Sequence, residues 1–200
     1  MLSLRLPSIP ALRDYLARQA GAPLSYPFAG GTQVSVRRAG YDHDCARIRL
    51  GNGPEVFEAA SKALQAWEMF PAGWTRILPA DTQPVPGVIV AMYAHFLGVW
   101  WRNSCQVVYV IRKPDQVGFA YGTLPDHMER GEELFCVQMD AQGDVWYEIQ
   151  AISTPQRIIA RLAYPLLRLL QARFRRESCD QMLLRTRWYL RQAVMEVSHV

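Results

Sequence analysis

Two hundred residues, half of them apolar and a fifth charged, are enough for one domain with a core of its own, without disulfide or metal staples. Four cysteines (Cys45, Cys105, Cys136, Cys179) lie far apart with no CxxC pair, which argues against a zinc–thiolate set or a secreted disulfide framework and for reduced thiols in a cytoplasm. The net charge of +4 is unevenly spread: nine arginines and three acids follow Pro155, whereas residues 1–154 hold thirteen basic and fifteen acidic side chains.

The first fourteen residues carry Arg5, Pro7, Pro10 and Arg13, which interrupt any apolar stretch a signal peptide would need. Pro10–Ala20 reads as a short helix with proline in its first turn, and the glycines and prolines that follow read as irregular chain. Asp44–Leu50 alternates, with Ala46, Ile48 and Leu50 on one face and Arg47 and Arg49 on the other, the pattern of a half-buried strand. Gly51-Asn52-Gly53 marks a turn, and Pro54 opens a helix with Glu55 in its first turn, ended by Pro71 and Gly73.

Six strand-like segments follow: Thr75–Pro79, Val88–Phe96, Cys105–Arg112, Val117–Leu124, Glu133–Asp140 and Val145–Ile152. Val88–Trp101 is apolar-rich but contains His95 and falls short of the roughly 18 residues of a membrane span. The short links imply an antiparallel meander. Ser153-Thr154-Pro155 reads as a helix start, and the helix runs to about Arg187, with Ile158, Leu162, Leu166, Leu169, Leu170 and Phe174 as its apolar stripe and a kink near Arg161–Ala163 from Pro165. The order predicts an α+β fold: a curved antiparallel sheet of about seven strands around a long C-terminal helix. It forms a single domain over 1–200, with an N-terminal extension (1–40), a core (41–187) and a tail (188–200).

Several stretches are similar to a bacterial and plant family, the domain family of unknown function numbered nineteen-ninety. They are GYDHDCARIRLGNG (Gly40–Gly53), ALQAWEMF (Ala63–Phe70), GFAYGTLPDH with GEELF (Gly118–Phe135), VWYEIQAIST (Val145–Thr154) and PLLRLLQARF (Pro165–Phe174). The element order also resembles the START-like (SRPBCC) helix-grip superfamily, whose members usually hold a hydrophobic cavity between sheet and helix. The resemblance implies a fold and a cavity; it implies no reaction.

Within such a cavity Phe119, Tyr121 and Thr123 share one strand face, Tyr93, Tyr109 and Tyr147 are candidates from other strands, and Leu162 and Leu166 come from the helix. Ordinary sheet packing accounts for the same residues equally well. His127, Glu129, Glu132 and Glu133 cluster on one turn. They have the chemistry of an acid/base or metal site, but one turn rarely builds a closed metal site, so a solvated turn is the preferred reading and no metal or cofactor is expected. Gly118, Gly122 and Gly131 lie between strands and make no nucleotide loop, and no GxSxG elbow is present. The arginines Arg157, Arg161, Arg168, Arg175 and Arg176 read first as a solvated helix face and second as a peripheral membrane contact; without interleaved aromatics they do not predict nucleic-acid binding.

The functional expectation is a cytoplasmic protein that binds a small hydrophobic or amphipathic molecule. The alternatives are a cyclase-, hydrolase- or isomerase-type enzyme using His127 with Glu132 or Glu133, and an interaction module presenting the arginine-rich helix or Trp100, Trp101 and Trp146.

Overall fold

Alternation of large apolar and polar side chains builds one antiparallel sheet, and in the computed structural model, which describes residues 2–34 and 36–197, that sheet has eight strands. They are β1 (Leu2–Ser3), β2 (Asp42–Asn52), β3 (Thr75–Leu78), β4 (Ile89–Phe96), β5 (Val99–Lys113), β6 (Gln116–Thr123), β7 (Glu129–Met139) and β8 (Asp144–Pro155). The order is β2-β8-β7-β6-β5-β4-β3, and β1 pairs with the part of β5 that runs past the end of β6. The helices are α1 (Ile9–Gln19), α2 (Pro54–Gln65), α3 (Ile158–Leu162) and α4 (Tyr164–Val197). Curved sheet and long C-terminal helix together make the α+β helix-grip architecture expected from the element order.

The two faces of the sheet are covered differently. Its inner face carries Leu50, Val107, Phe119, Phe135, Tyr147 and Ile149, which pack with Ala60, Ala63 and Leu64 of α2 and Cys179 and Met182 of α4. Each large side chain buried there contributes about 1.5–3 kcal/mol by transfer from water. Trp67, with φ +59° just past α2, folds back into this core, and its indole N–H donates to Thr82 O at 2.5 Å.

Part of the outer face is covered by residues 12–32. Leu12 and Tyr15 of α1 lie on Ala91 and Tyr93, and Tyr26 and Phe28 lie on Ile152. Ser8 caps α1 by accepting the Ala11 N–H. The extension thus both adds an edge strand and sheathes the sheet.

One buried carboxylate fixes the sheath. Glu132 points outward from β7 and accepts from Tyr26 Oη (2.7 Å), Gly30 N (2.8 Å), Thr32 N (2.9 Å) and Thr32 Oγ1 (2.6 Å). Two glycines of the central motif allow this arrangement. A Cβ on Gly122 would lie 2.2 Å from Tyr26 Oη, and one on Gly131 would lie 1.9 Å from the Ile152 carbonyl of β8. Between them Thr123 Oγ1 accepts from Gly131 N and donates to Gly131 O, joining the ends of β6 and β7.

Two elements depart from the sequence expectation. Ser153-Thr154-Pro155 does not start a helix; β8 continues through it, paired with Glu129–Gly131. The helix begins at Ile158, breaks at Ala163 and restarts at Tyr164, so Pro165 occupies the first turn of α4, where its missing N–H costs nothing, rather than the middle of one helix. The C-terminal helix extends past Arg187 to Val197; of the expected tail, 198–200 lie outside the described residues.

Glu132→Ala leaves four donors without their acceptor, so it should destabilise the fold by about 3 kcal/mol or more in urea denaturation and open residues 24–34 to limited proteolysis. A variant of wild-type stability would show that the sheath is held by its aromatic contacts alone.

Candidate functional site

Bulky inner-face residues give way to small ones at one end of the sheet. The pairing Asp44–Ala151–Glu133–Tyr121 runs across β2, β8, β7 and β6 in one row, and the next row carries Ser153 and Gly131. Opposite them the helical side presents Ala160 and Ala163. Small residues on both sides leave a cavity of about 410 Å³ between the sheet and the α3–α4 segment, within the range of small-molecule sites.

Its walls are apolar over most of their area. Met92 and Phe96 come from β4, Trp101 from β5, Trp74 from the turn before β3, and Leu167, Leu170 and Phe174 from α4. Leu97, Ile159 and Leu166 sit at the rim and are partly in solvent; next to them Ile158 and Leu162 are 75% and 82% exposed. Leu97 and Gly98 form the two-residue β4–β5 turn, both with positive φ.

The polar side chains gather on one wall. Tyr121 Oη donates to Glu133 Oε2 at 2.7 Å. Glu129 Oε1 accepts from Ser153 Oγ at 3.1 Å and from Gln171 Nε2 of α4. The His127 ring, buried, accepts the Glu129 backbone N–H on Nδ1 at 2.9 Å, so in the neutral ring the proton sits on Nε2. The buried Asn103 holds the same loop by accepting Met128 N–H at 3.1 Å.

Charge is distributed unequally here. Asp44 accepts both Nη atoms of Arg168 (2.5 and 2.8 Å) and lies 3.2 Å from Arg175 Nη2, while Tyr164 donates to Asp42 at 2.7 Å. Burial alone would raise the Asp44 carboxyl, but Arg168 and Arg175 hold it below its usual range. Neither Glu129 nor Glu133 is in an ion pair among the described residues. Burial pushes Glu129 up to about 7 against the opposing hydrogen bond from Ser153, and pushes Glu133 up to about 7 against that from Tyr121, with Glu129 itself adding to the rise. His127 is lowered to about 4 by burial. No group of three or more His, Cys, Asp or Glu side chains suited to a metal occurs among the described residues.

The sequence candidates divide accordingly. Tyr121, Thr123, His127, Glu133 and Leu166 line the cavity. Glu132 touches it only from behind, because its carboxylate is turned to the outer face and engaged there. Tyr93 lies on the outer face against Tyr15, and Tyr109 also faces outward, bonded to Thr32 at 2.7 Å. A register shift between Val107 and Tyr109 puts these two residues on opposite faces, which strict alternation would not. Phe119 and Tyr147 point inward but belong to the packed core, Tyr147 bonded to Ser178 at 2.9 Å. Leu162 faces solvent outside the cavity.

The expected apolar stripe of the helix faces inward only in part: Leu170 and Phe174 line the cavity and Leu166 its rim. Ile158, Leu162, Leu166 and Leu169 are exposed, and Arg168 and Arg175, expected in solvent, turn inward to Asp44. Trp100, Trp101 and Trp146 are half-buried rather than displayed. Glu129, named with the acid-rich turn, also lines the cavity, and Asp44 and Gln171 are lining residues the sequence reading did not single out. The signal for Asp44 was available: it shares strand parity with the inward-facing Ala46, Ile48 and Leu50.

Comparison with known proteins agrees with this fold. The family described as "Domain of unknown function (DUF1990)" matches residues 25–181, so the chain belongs to that family. A UPF0548 protein of Arabidopsis thaliana is 35% identical over 154 residues, covering 74% of this chain and 75% of the relative. One from Deinococcus radiodurans is 31% identical over 187 residues, covering 86% and 92%. Among solved structures, hypothetical protein jhp0584 from Helicobacter pylori superposes with a TM-score of 0.53 at 9% identity, over 82% of this chain and 96% of that one, a likeness of fold.

The raised carboxyls bear on stability. A carboxyl that moves from 4.5 to about 7 on folding holds more protons in the folded state between those values, so its stabilising contribution is full below about pH 4.5 and is lost as pH rises to about 7. His127, lowered on folding, runs the opposite way and stabilises as pH rises from about 4 to 6.5. Glu133→Gln removes one carboxyl and keeps the shape. Its stability relative to wild type should therefore increase by on the order of 2 kcal/mol between pH 4.5 and 7, read by denaturant titration. A difference independent of pH would mean that Glu133 is solvated.

Proposed function

We propose that this member of the family binds a small amphipathic molecule in the cavity between the sheet and α3–α4. The observation that carries the reading is a cavity with apolar walls and one polar wall lined by Glu129, Glu133 and His127. Burial of the apolar body would supply affinity, and the polar wall would orient the head. The exposed apolar rim of Leu97, Ile159 and Leu166 provides an entrance that an apolar molecule can wet.

A catalytic variant of the same reading has one specific support. Carboxyls held near neutrality beside a neutral imidazole are suited to proton transfer, and these three side chains face the cavity rather than bulk water. In that variant Glu133 and His127 would carry protons, and Glu132 would have no part because its carboxylate is occupied on the other face.

Leu170→Trp places an indole in the cavity. It should weaken binding of the neutral apolar dye N-phenyl-1-naphthylamine about tenfold or more, with the far-ultraviolet circular dichroism spectrum unchanged. Unchanged dye affinity in the folded variant would place binding elsewhere.

A further inference from the structure

From the arrangement of charge in the cavity, and resting on the binding reading above, we infer that the ligand's head group is cationic: an amphiphile whose ammonium nitrogen sits between Glu129 and Glu133.

The cavity's positive charges are already committed. Arg168 meets Asp44 through both terminal nitrogens, and Arg175 closes on the same carboxylate. Asp42 adds a second acid to this cluster, 3.7 Å from Arg168 and bonded to Tyr164. The two arginines and two aspartates therefore balance, and the cluster carries no net charge toward a ligand.

The carboxyls of Glu129 and Glu133 are the surplus. Each has one oxygen engaged by neutral donors: Ser153 and Gln171 at Glu129, Tyr121 at Glu133. No hydrogen bond within the described residues reaches Glu129 Oε2 or Glu133 Oε1, and both residues line the cavity. His127 sits beside them without charge.

An ammonium head supplies what this wall lacks, a charge and N–H donors together. Its proximity would draw protons off the carboxyls and convert two costly buried groups into charge-assisted hydrogen bonds. A carboxylate or phosphate head would meet two acids with no unpaired arginine among the described lining residues, and a hydroxyl head would bring no counter-charge to the two carboxyls. The apolar walls formed by Met92, Phe96, Leu170 and Phe174 accommodate the alkyl or aryl body. The whole protein carries a net charge of +4, so non-specific attraction favours anions, and a preference for a cation has to originate in the site.

The test uses three probes of one chain length, dodecylamine, dodecanol and dodecanoate. Each is titrated calorimetrically into the full chain at neutral pH, below its aggregation concentration. Dodecylamine should bind about tenfold or more tighter than dodecanoate, with dodecanol between them. In the isosteric Glu129→Gln/Glu133→Gln double variant the amine's advantage should vanish while dodecanol still binds. The wild-type ranking decides the matter even if that variant does not fold. Dodecanoate binding as well as the amine, or an amine preference that survives both substitutions, would overturn the inference. Dodecanol binding without amine preference would overturn the head-group assignment and leave the cavity reading intact. Failure of all three probes would overturn both.

Discussion

The cavity depends on Asp44. Its carboxylate draws Arg168 and Arg175 of α4 onto β2, two turns of helix apart, and fixes the N-terminal half of α4 across the sheet at a spacing set by ion pairs instead of by packed leucines. Farther along, Trp74 donates to Glu177 at 2.6 Å while Arg173 stacks on the same indole, which continues the tether. Beyond that point the helix descends into a dense core with α2 through Cys179 and Met182. One helix therefore does two things: its middle, around Cys179 and Met182, packs into the core and its first turns roof an opening. Because the clamp consumes the arginines, it also determines the charge left over in that opening.

The sheet is divided in the same way. Phe119, Phe135, Tyr147 and Ile149 fill the inner face at one end, whereas Ala151, Ser153 and Gly131 leave room at the other. Burying carboxyls at the roomy end opposes stability above neutral pH, the familiar cost of a binding site assembled from groups that want a partner. The outer face repays part of it: Glu132, the third acid of the same strand, is fully satisfied by Tyr26, Gly30 and Thr32. Acids adjacent in sequence thus have opposite roles because a strand sends them to opposite faces.

That division explains what could be read from the sequence. Strand alternation in Asp44–Leu50 and Val145–Ile152 and the proline-opened α2 were legible because their local signals agree with the tertiary fold. The face of α4 was not. Its inward side mixes Leu167, Gln171, Arg175, Ser178 and Met182 with Leu170 and Phe174 of the expected stripe, while Leu166 stands at the cavity rim and Ile158, Leu162 and Leu169 are exposed. The register shift that turns Tyr109 outward has no local marker, and the continuation of β8 through Ser153–Pro155 depends on pairing with Glu129–Gly131, which no local pattern encodes. The block Gly118–Phe135 carried the family resemblance and its acid-rich turn read as solvated; that Glu129 and Glu133 face the cavity instead follows from the strand pairing.

The central claim is that the space under α3–α4 is a binding site and not a packing defect. Native mass spectrometry of freshly purified protein, followed by denaturing extraction, tests it most directly. The account predicts a reproducible adduct of defined mass, an amphipathic organic molecule released on unfolding and lost in Leu170→Trp. A clean unliganded mass, with no adduct after exposure to a total cell extract, would contradict it.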